Sequence, residues 1–347
     1  MSHPTPQSLH DIAQAMVAPG KGILAADEST GTIKKRLDSI NVENTEDHRR
    51  AYREMLFRAH DAMTQSISGV ILFDETLRQS AADGTPLVKL IQDAGAVPGI
   101  KVDQGAKDMA GRPGEKLTEG LDGLPGRMAE YYELGARFAK WRAVITIAAD
   151  GRPSWSCIKA NAHALARYAI TCQEAGIVPI VEPEVLMDGP EANHDIDTCL
   201  RVTTWALKAL YDELFEANVD LAGTILKPNM VVPGQGSAQK ASVEEVAEKT
   251  VACLKACVPP AVPGIAFLSG GQSDEEATAH LSAMNAMGAL PWALTFSYGR
   301  ALQAAALKAW GGKPENVAAA QRAFTHRAAM NGAAARGTWS ADMENAA

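Results

Sequence analysis

The stretch TILKPNM, residues 224–230, decides how the chain is read. Thr224, Ile225 and Leu226 are β-formers in a short apolar run, opened by Gly223 and ended by Pro228 and Asn229. A near-continuous hydrophobic run of this kind suits a strand of a parallel sheet, buried on both faces. Lys227 then stands at the strand's carboxyl end with its amine directed into protein. A lysine is almost never fully buried without a partner or a task.

Seven further runs have the same character. They are GILAAD (22–27), ISGVILF (67–73), VPGIKVD (97–103), FAKWRAVITI (138–147), GIVPIVEPE (176–184), GIAFLSGG (264–271) and ALTFSYG (293–299). Helical patterns lie between them, over 46–66, 157–175, 194–217, 242–257 and 273–287. The last two open on Ser242 and Ser273 with Glu three residues on, a capping-box signal. Eight strands, each followed by helical material, is the arithmetic of an α/β chain closed into a (β/α)₈ barrel. An open doubly wound sheet is the alternative. It is disfavoured because no Gly-rich nucleotide fingerprint follows the first strand, and because polar residues mark nearly every strand end. The expected organisation is one catalytic domain over 1–335. The Ala- and Gly-rich stretch 331–347 reads as a mobile tail, with 336–347 outside the domain.

Composition narrows the function. The 347 residues are 46% hydrophobic and carry a net charge of −8, which argues against a nucleic-acid binder. No apolar stretch is long enough to span a membrane. The opening MSHPTPQSLH lacks an apolar core, so no secretory leader is expected. Five scattered cysteines without such a leader suggest reduced thiols in the cytoplasm. Cys253 and Cys257, one helical turn apart, read as ordinary helix residues.

The strand ends carry the chemistry. They bear Asp27, the pairs Lys101/Asp103, Lys140/Arg142 and Glu182/Glu184, then Lys227, Ser269 and Arg300. Residues two apart on a strand share a face, so each pair points one way while Val102, Trp141 and Pro183 point the other. Facing the helices, these charges would sit in an apolar layer. Facing the barrel mouth, they form a mixed ammonium–carboxylate cluster. A structural ion network could plug a barrel in this way, but burying charges costs several kcal/mol per ion, and about ten converge here. Lysines crowded together disfavour one another's protonation, and a neutral amine attacks carbonyls. Lys227, set among apolar neighbours, is the best candidate nucleophile. Glu182 and Glu184 can divide acid and base duties. LSGGQS (268–273) and SYGRAL (297–302) put small residues where strands seven and eight give way to helices, the usual phosphate address of a barrel. Arg300 can grip a phosphate through two parallel hydrogen bonds.

Seven motifs resemble class I fructose-1,6-bisphosphate aldolases: KGILAADESTGTIKKRL (21–37), GIKVDQG (99–105), AKWRAVI (139–145), IVPIVEPE (177–184), LKPNM (226–230), FLSGGQS (267–273) and PWALTFSYGRALQAAALKAWGGK (291–313). The likeness runs from about residue 10 to about 330. It implies a Schiff base on Lys227 with the C2 ketone of the sugar. Asp27 corresponds to the base for the C4 hydroxyl, and Glu182 to the acid/base for carbinolamine dehydration. Lys140 and Glu184 match residues that hold and tune the cluster, and Arg142 belongs with the substrate-binding set. Ser269, Gly270, Gly299 and Arg300 match the C1-phosphate site. Ser29, Thr32 and Lys101 match positions around the C6 phosphate, with Lys35 and Arg36 near the same end. The substrate class implied is sugar phosphates, with no nucleic acid or membrane partner, and the family is commonly tetrameric. No cofactor and no metal are expected, since the iminium is itself the electron sink, and the eight histidines show no HxH or HExxH spacing. Other Schiff-base barrel enzymes fit less well, because two phosphate sites occur with EPE and LKPNM. A non-catalytic scaffold fits less well because Lys227 and Glu182 are retained. Animal relatives end in a tyrosine that folds over the site, whereas this chain ends MENAA. Its tail is therefore expected to matter less.

Overall fold

The computed structural model describes residues 6–345. Residues 1–5, within the opening stretch considered as a leader, and 346–347, the end of the expected tail, lie outside it. Eight parallel strands close into a barrel: β1 (Gly22–Ala26), β2 (Ile67–Leu72), β3 (Val97–Lys101), β4 (Phe138–Ile145), β5 (Val178–Val185), β6 (Ile225–Leu226), β7 (Gly264–Phe267) and β8 (Ala293–Tyr298). Each pairs with its sequence neighbours, and β8 closes on β1. All eight are those expected from the sequence, in the expected order. A short antiparallel hairpin, Ala106–Asp108 with Lys116–Thr118, is added after β3.

Period-two alternation builds two cores. Inward positions low in the barrel carry Ile23, Ile71, Phe138, Val178, Ile180, Ile225 and Ala266. Leu9, Ala13 and Met16 of the helix Pro6–Met16 pack against this plug. Gly99 is required there, since a Cβ would lie 2.3 Å from the Phe138 ring. Outward positions pack on the helices: Trp141 stacks on Tyr168 with ring centroids 5.5 Å apart. One face of β4 therefore reads Phe138, Lys140, Arg142, changing from apolar plug to charge as the strand climbs to its carboxyl end. β5 repeats this with Ile180, Glu182, Glu184, and register sets Arg142 opposite Glu182.

Five helices start where side chains satisfy orphan amides. Thr45, Ser154, Asp195 and Ser242 each accept from the amide three residues on, and Ser273 with Glu276 forms a full capping box. Two expectations need correction. The helix foreseen over 46–66 breaks into Glu46–Phe57 and His60–Gln65, since Ala59 leaves the helical region at ψ 80; neither Gly nor Pro marks the break. Residues 331–345 do not hang free as a mobile tail. The helix Val317–Ala335 runs through 331–335 with Asn331 and Ala334 buried. Beyond it, Glu344 accepts from Trp339 Nε1 at 2.9 Å and from Arg327 at 2.5 Å, so a charge pair and an indole dock the segment. Among the described residues, no helix is long and apolar enough to cross a membrane.

Candidate active site

At the carboxyl ends of the strands lies a cavity of about 330 Å³, within the range of small-molecule sites. Fourteen of the fifteen residues expected at the site line it; Lys35 does not. In the helix Thr30–Asp38, Ile33 and Leu37 face the core while Thr32 and Arg36, one turn apart, face the cavity. Lys35 is left exposed to solvent.

Lys140 rises from β4 at the centre of the floor. Its Nζ lies 2.7 Å from Asp27 Oδ2 and 3.2 Å from Glu182 Oε2. Lys227, one residue past β6 and 4% exposed, lies 3.1 Å from the other oxygen, Glu182 Oε1. Its backbone N–H still donates to Val181 at 2.9 Å, so the strand ladder fixes its Cα. Glu182 Oε2 faces the Lys140 ammonium without forming a hydrogen bond to it. Around this core, Lys101 pairs with Asp103 at 3.3 Å, and Arg142 pairs with Glu184. Asn229 supports the lysine strand from outside the barrel: its Oδ1 accepts from Val185 N–H and its Nδ2 donates to Thr203.

Crowding does not act here as the sequence suggested. Carboxylates are interleaved with the ammonium groups. Burial alone would lower the Lys140 amine, but Asp27, Glu182 and Asp103 outweigh it and hold Lys140 charged, above the ordinary lysine range. Burial alone would likewise raise Asp27, but Lys140, Lys227 and Lys101 hold it far below the usual carboxylate range. Glu182 moves in the same direction, with burial opposed and overcome by Lys140, Lys227 and Arg142.

A pH dependence follows from these directions. A carboxylate whose folded value is depressed contributes stability that is present in full above its unfolded value, about 3.9 for Asp, and lost as pH falls toward the folded value. Asp27→Asn should therefore lower Tm most near neutrality, with the gap to wild type shrinking between pH 5 and pH 2.5. Calorimetry across that range checks it, and a gap that widens in acid would contradict the assignment.

The end of the cavity where the sequence placed a phosphate is built from two loops. Ser269 and Gly270 follow β7. Gly299 caps the helix Arg300–Trp310 without a side-chain hydrogen bond, leaving its amides open to an anion. Arg36 stands beside Gly299: a Cβ added there would lie 3.3 Å from Arg36 Nη2. Ser29 and Thr32 share a hydroxyl contact of 3.1 Å at the start of the neighbouring helix.

Of the polar residues lining the cavity, Glu28, Asp188 and Ser297 were not foreseen from the sequence. Glu28 is buried against Arg36 at 2.5 Å, and Gln303 donates to it at 3.1 Å. Strand alternation would have turned Glu28 away from the mouth, but β1 ends at Ala26 and the rule lapses there. Ser297 was legible as the inward partner of Thr295. Asp103 was recognised as the neighbour of Lys101 but not carried into the site. Asp188 lies in a loop without a signal. Among the described residues, no group of three or more His, Cys, Asp or Glu is placed to hold a metal ion.

Comparison with known proteins agrees with this geometry. The family model described as "Fructose-bisphosphate aldolase class-I" matches residues 8–347. A Xanthomonas campestris pv. campestris protein named a probable fructose-bisphosphate aldolase class 1 is 59% identical over 334 residues, 96% of this chain and 98% of that one. An Arabidopsis thaliana protein named fructose-bisphosphate aldolase 4, cytosolic, is 57% identical over 327 residues, 94% of this chain and 82% of that one. The solved structure of the Plasmodium falciparum fructose-bisphosphate aldolase, in complex with TRAP and a small molecule inhibitor, superposes with a TM-score of 0.93 at 48% identity, covering 98% of this chain and 99% of that one. The chain belongs to the class-I fructose-bisphosphate aldolase family.

Proposed function

We propose that this protein reversibly cleaves fructose 1,6-bisphosphate to dihydroxyacetone phosphate and glyceraldehyde 3-phosphate through a Schiff base on Lys227. The observation that carries the reading is the buried Lys227 amine 3.1 Å from Glu182, whose other oxygen lies 3.2 Å from the Lys140 ammonium. At that distance the Lys227 ammonium passes a proton to Glu182 and becomes a nucleophile. The amine adds to the C2 carbonyl. Glu182 returns its proton to the carbinolamine hydroxyl, water leaves, and an iminium forms. Asp27, held ionised by Lys140, takes the C4 hydroxyl proton. The C3–C4 bond then breaks, its electron pair enters the iminium to give an enamine, and the aldehyde departs. Asp27 gives the C4 proton up to water as the aldehyde leaves. Glu182 takes a proton back from water and passes it to C3, directly or through a water it holds, and hydrolysis frees the ketone. Lys140 stays cationic throughout, which keeps the two carboxylates apart in role and close in space.

Ser269, Gly270, Gly299 and Arg300 hold the C1 phosphate in this reading. Ser29, Thr32 and Lys101 hold the C6 phosphate, and Arg36 stands nearer the C1 end than its sequence position suggests. Lys35 has no contact role. Glu184 fixes Arg142 at the rim. The chain works as one domain over 1–335. Its homotetrameric, cytoplasmic state is supported by the family and by exposed Trp155, Trp205 and Phe215, which offer apolar contact surface; light scattering tests the assembly.

Two measurements test the chemistry. Substrate and borohydride should leave a covalent adduct on the peptide containing Lys227, and an adduct on Lys101 or Lys140 instead would sink the assignment. Activity should survive EDTA, because the iminium does the work of a Lewis acid. Arg300→Ala should weaken bisphosphate binding by about 2–4 kcal/mol, as for a charge-assisted bidentate contact at a desolvated site. Its fold should be little changed, since Arg300 makes one backbone hydrogen bond, to the Gln272 carbonyl at 2.6 Å. Unchanged affinity by calorimetry would place Arg300 outside the phosphate site.

A further inference from the structure

Behind the phosphate loop, on the side away from the cavity, stands a histidine with no part in the proton transfers or the carbon–carbon cleavage. The loop is a tight turn in which Gln272 N–H donates to the Ser269 carbonyl at 3.2 Å, across Gly270 and Gly271. Gly271 has φ +76, the value the third residue of a type II turn needs. A side chain there would also drive into Met187, 2.5 Å away, so the turn is pressed against the loop after β5 on one side. On the other side its hold is the Gln272 side chain, 4% exposed and directed inward, away from substrate. Gln272 Oε1 meets His280 Nδ1 at 2.6 Å. His280 lies within the helix Asp274–Ala286, is 8% exposed, and burial lowers its affinity for a proton despite Glu276 and Glu244 nearby. The Gln272 backbone carbonyl is also where Arg300 Nη2 rests, at 2.6 Å.

We propose that His280 is a positioning residue for the phosphate end of the cavity. It fixes the Gln272 side chain, Gln272 fixes the Ser269–Gln272 turn, and the turn sets both the Ser269–Gly270 donors and the carbonyl on which Arg300 leans. The proposal rests on the reading of these two loops as a phosphate site. Gln272 Nε2 has no partner among the described residues, so the contact with His280 is the one hydrogen bond of that amide group there. Removing the imidazole leaves a buried acceptor unsatisfied, and the turn can relax only by turning that amide toward water in the cavity. The loss therefore falls on phosphate binding, not on the proton transfers at Lys227 and Glu182, which stand on β5 and at the end of β6.

The test compares wild type, His280→Ala, His280→Asn and Gln272→Met. Affinity for dihydroxyacetone phosphate is measured by calorimetry, kcat and KM with fructose 1,6-bisphosphate, and folding by Tm. His280→Ala should weaken dihydroxyacetone phosphate binding and raise KM by about tenfold, the effect of one unsatisfied buried acceptor, while kcat changes less than about twofold. His280→Asn, whose amide can share one hydrogen bond with Gln272, should restore most of the affinity. Gln272→Met keeps the side-chain length, removes the hydrogen bond, and should match His280→Ala even if the alanine variant folds poorly. In an Arg300→Ala background the His280→Ala loss should shrink but not vanish, because the part carried through Arg300 is gone while the Ser269–Gly270 donors still depend on the turn. Unchanged affinity in both His280→Ala and Gln272→Met overturns the proposal. So does failure of His280→Asn to restore binding at an unchanged Tm, since His280 would then act by bulk alone. If wild type binds dihydroxyacetone phosphate but cleaves no bisphosphate, the functional reading falls while the calorimetric arms still decide the role of His280. If wild type binds no sugar phosphate, both fall.

Discussion

Lys227→Met should abolish cleavage, lowering kcat by about 10⁴-fold or more, equivalent to roughly 5.5 kcal/mol of barrier. Methionine nearly keeps the length of the side chain and its apolar stem, so the strand end Ile225–Leu226 and the pocket around it can remain packed. What is lost is the one amine that meets Glu182 Oε1. Folding should survive, because Lys140 still lies 3.2 Å from the other oxygen of Glu182 and keeps that buried carboxylate compensated. Substrate should still bind, since the phosphate ends do not depend on Lys227. The expected outcome is thus near-normal affinity by calorimetry, no turnover, and no borohydride adduct. Substantial residual turnover with an adduct on Lys140 would mean that the central lysine serves as the nucleophile. The assignment of Lys227 would then be wrong even with the contacts of Glu182 as they stand.

The barrel was legible because its signal is repeated. Each of the eight strands is a short apolar run closed by a polar residue or a turn, and an error of one or two residues at an end changes nothing about closure. The lower core was legible from the same alternation, as Phe138, Lys140 and Arg142 on one face of β4 show. The i, i+2 charge pairs gave the converging cluster for the same reason. What could not be read was partnership. Spacing brought Lys101, Lys140 and Lys227 to one rim, and like charges alone suggested weakened protonation. Only three-dimensional placement reveals that Asp27 and Glu182 stand between the lysines and reverse the effect at Lys140. Positions just past a strand were the other blind spot. Glu28 lies between β1 and the helix Thr30–Asp38, where strand alternation has ended, and Lys35 lies inside that helix, whose facing is fixed only once Ile33 and Leu37 pack inward. The carboxyl terminus was misread for a related reason. Ala and Gly content alone suggests mobility, while Trp339 and Glu344 find partners more than twelve residues away only after the last helix has packed.

Glu182→Gln should cost kcat far more than loss of the whole segment 336–347. In the proposed mechanism the glutamate takes a proton from the Lys227 ammonium and gives it to the carbinolamine hydroxyl, so an amide disables both imine formation and its reversal. General acid–base catalysis contributes about 10²–10⁴-fold, and a residue used in several steps belongs at the upper end. Glutamine is close to isosteric, but it places a neutral amide between two ammonium groups at about 3 Å, so Lys140 is left with Asp27 alone and Lys227 without a counter-charge. A moderate loss of Tm should accompany the loss of rate, since breaking a buried pair leaves charge uncompensated. The truncation acts on different groups. It removes Trp339 and Glu344 together, and so takes the carboxylate away from Arg327 and His326, neither of which lines the cavity. Its effect on kcat should stay below about tenfold, roughly 1.4 kcal/mol, while Tm falls because the buried Arg327 loses its carboxylate. Pre-steady-state trapping separates the two cases. Borohydride should capture little imine from Glu182→Gln and a near wild-type amount from the truncated chain. A truncation as damaging to kcat as Glu182→Gln would make the tail a working part of the site, and the proton at C3 would then have to come from it.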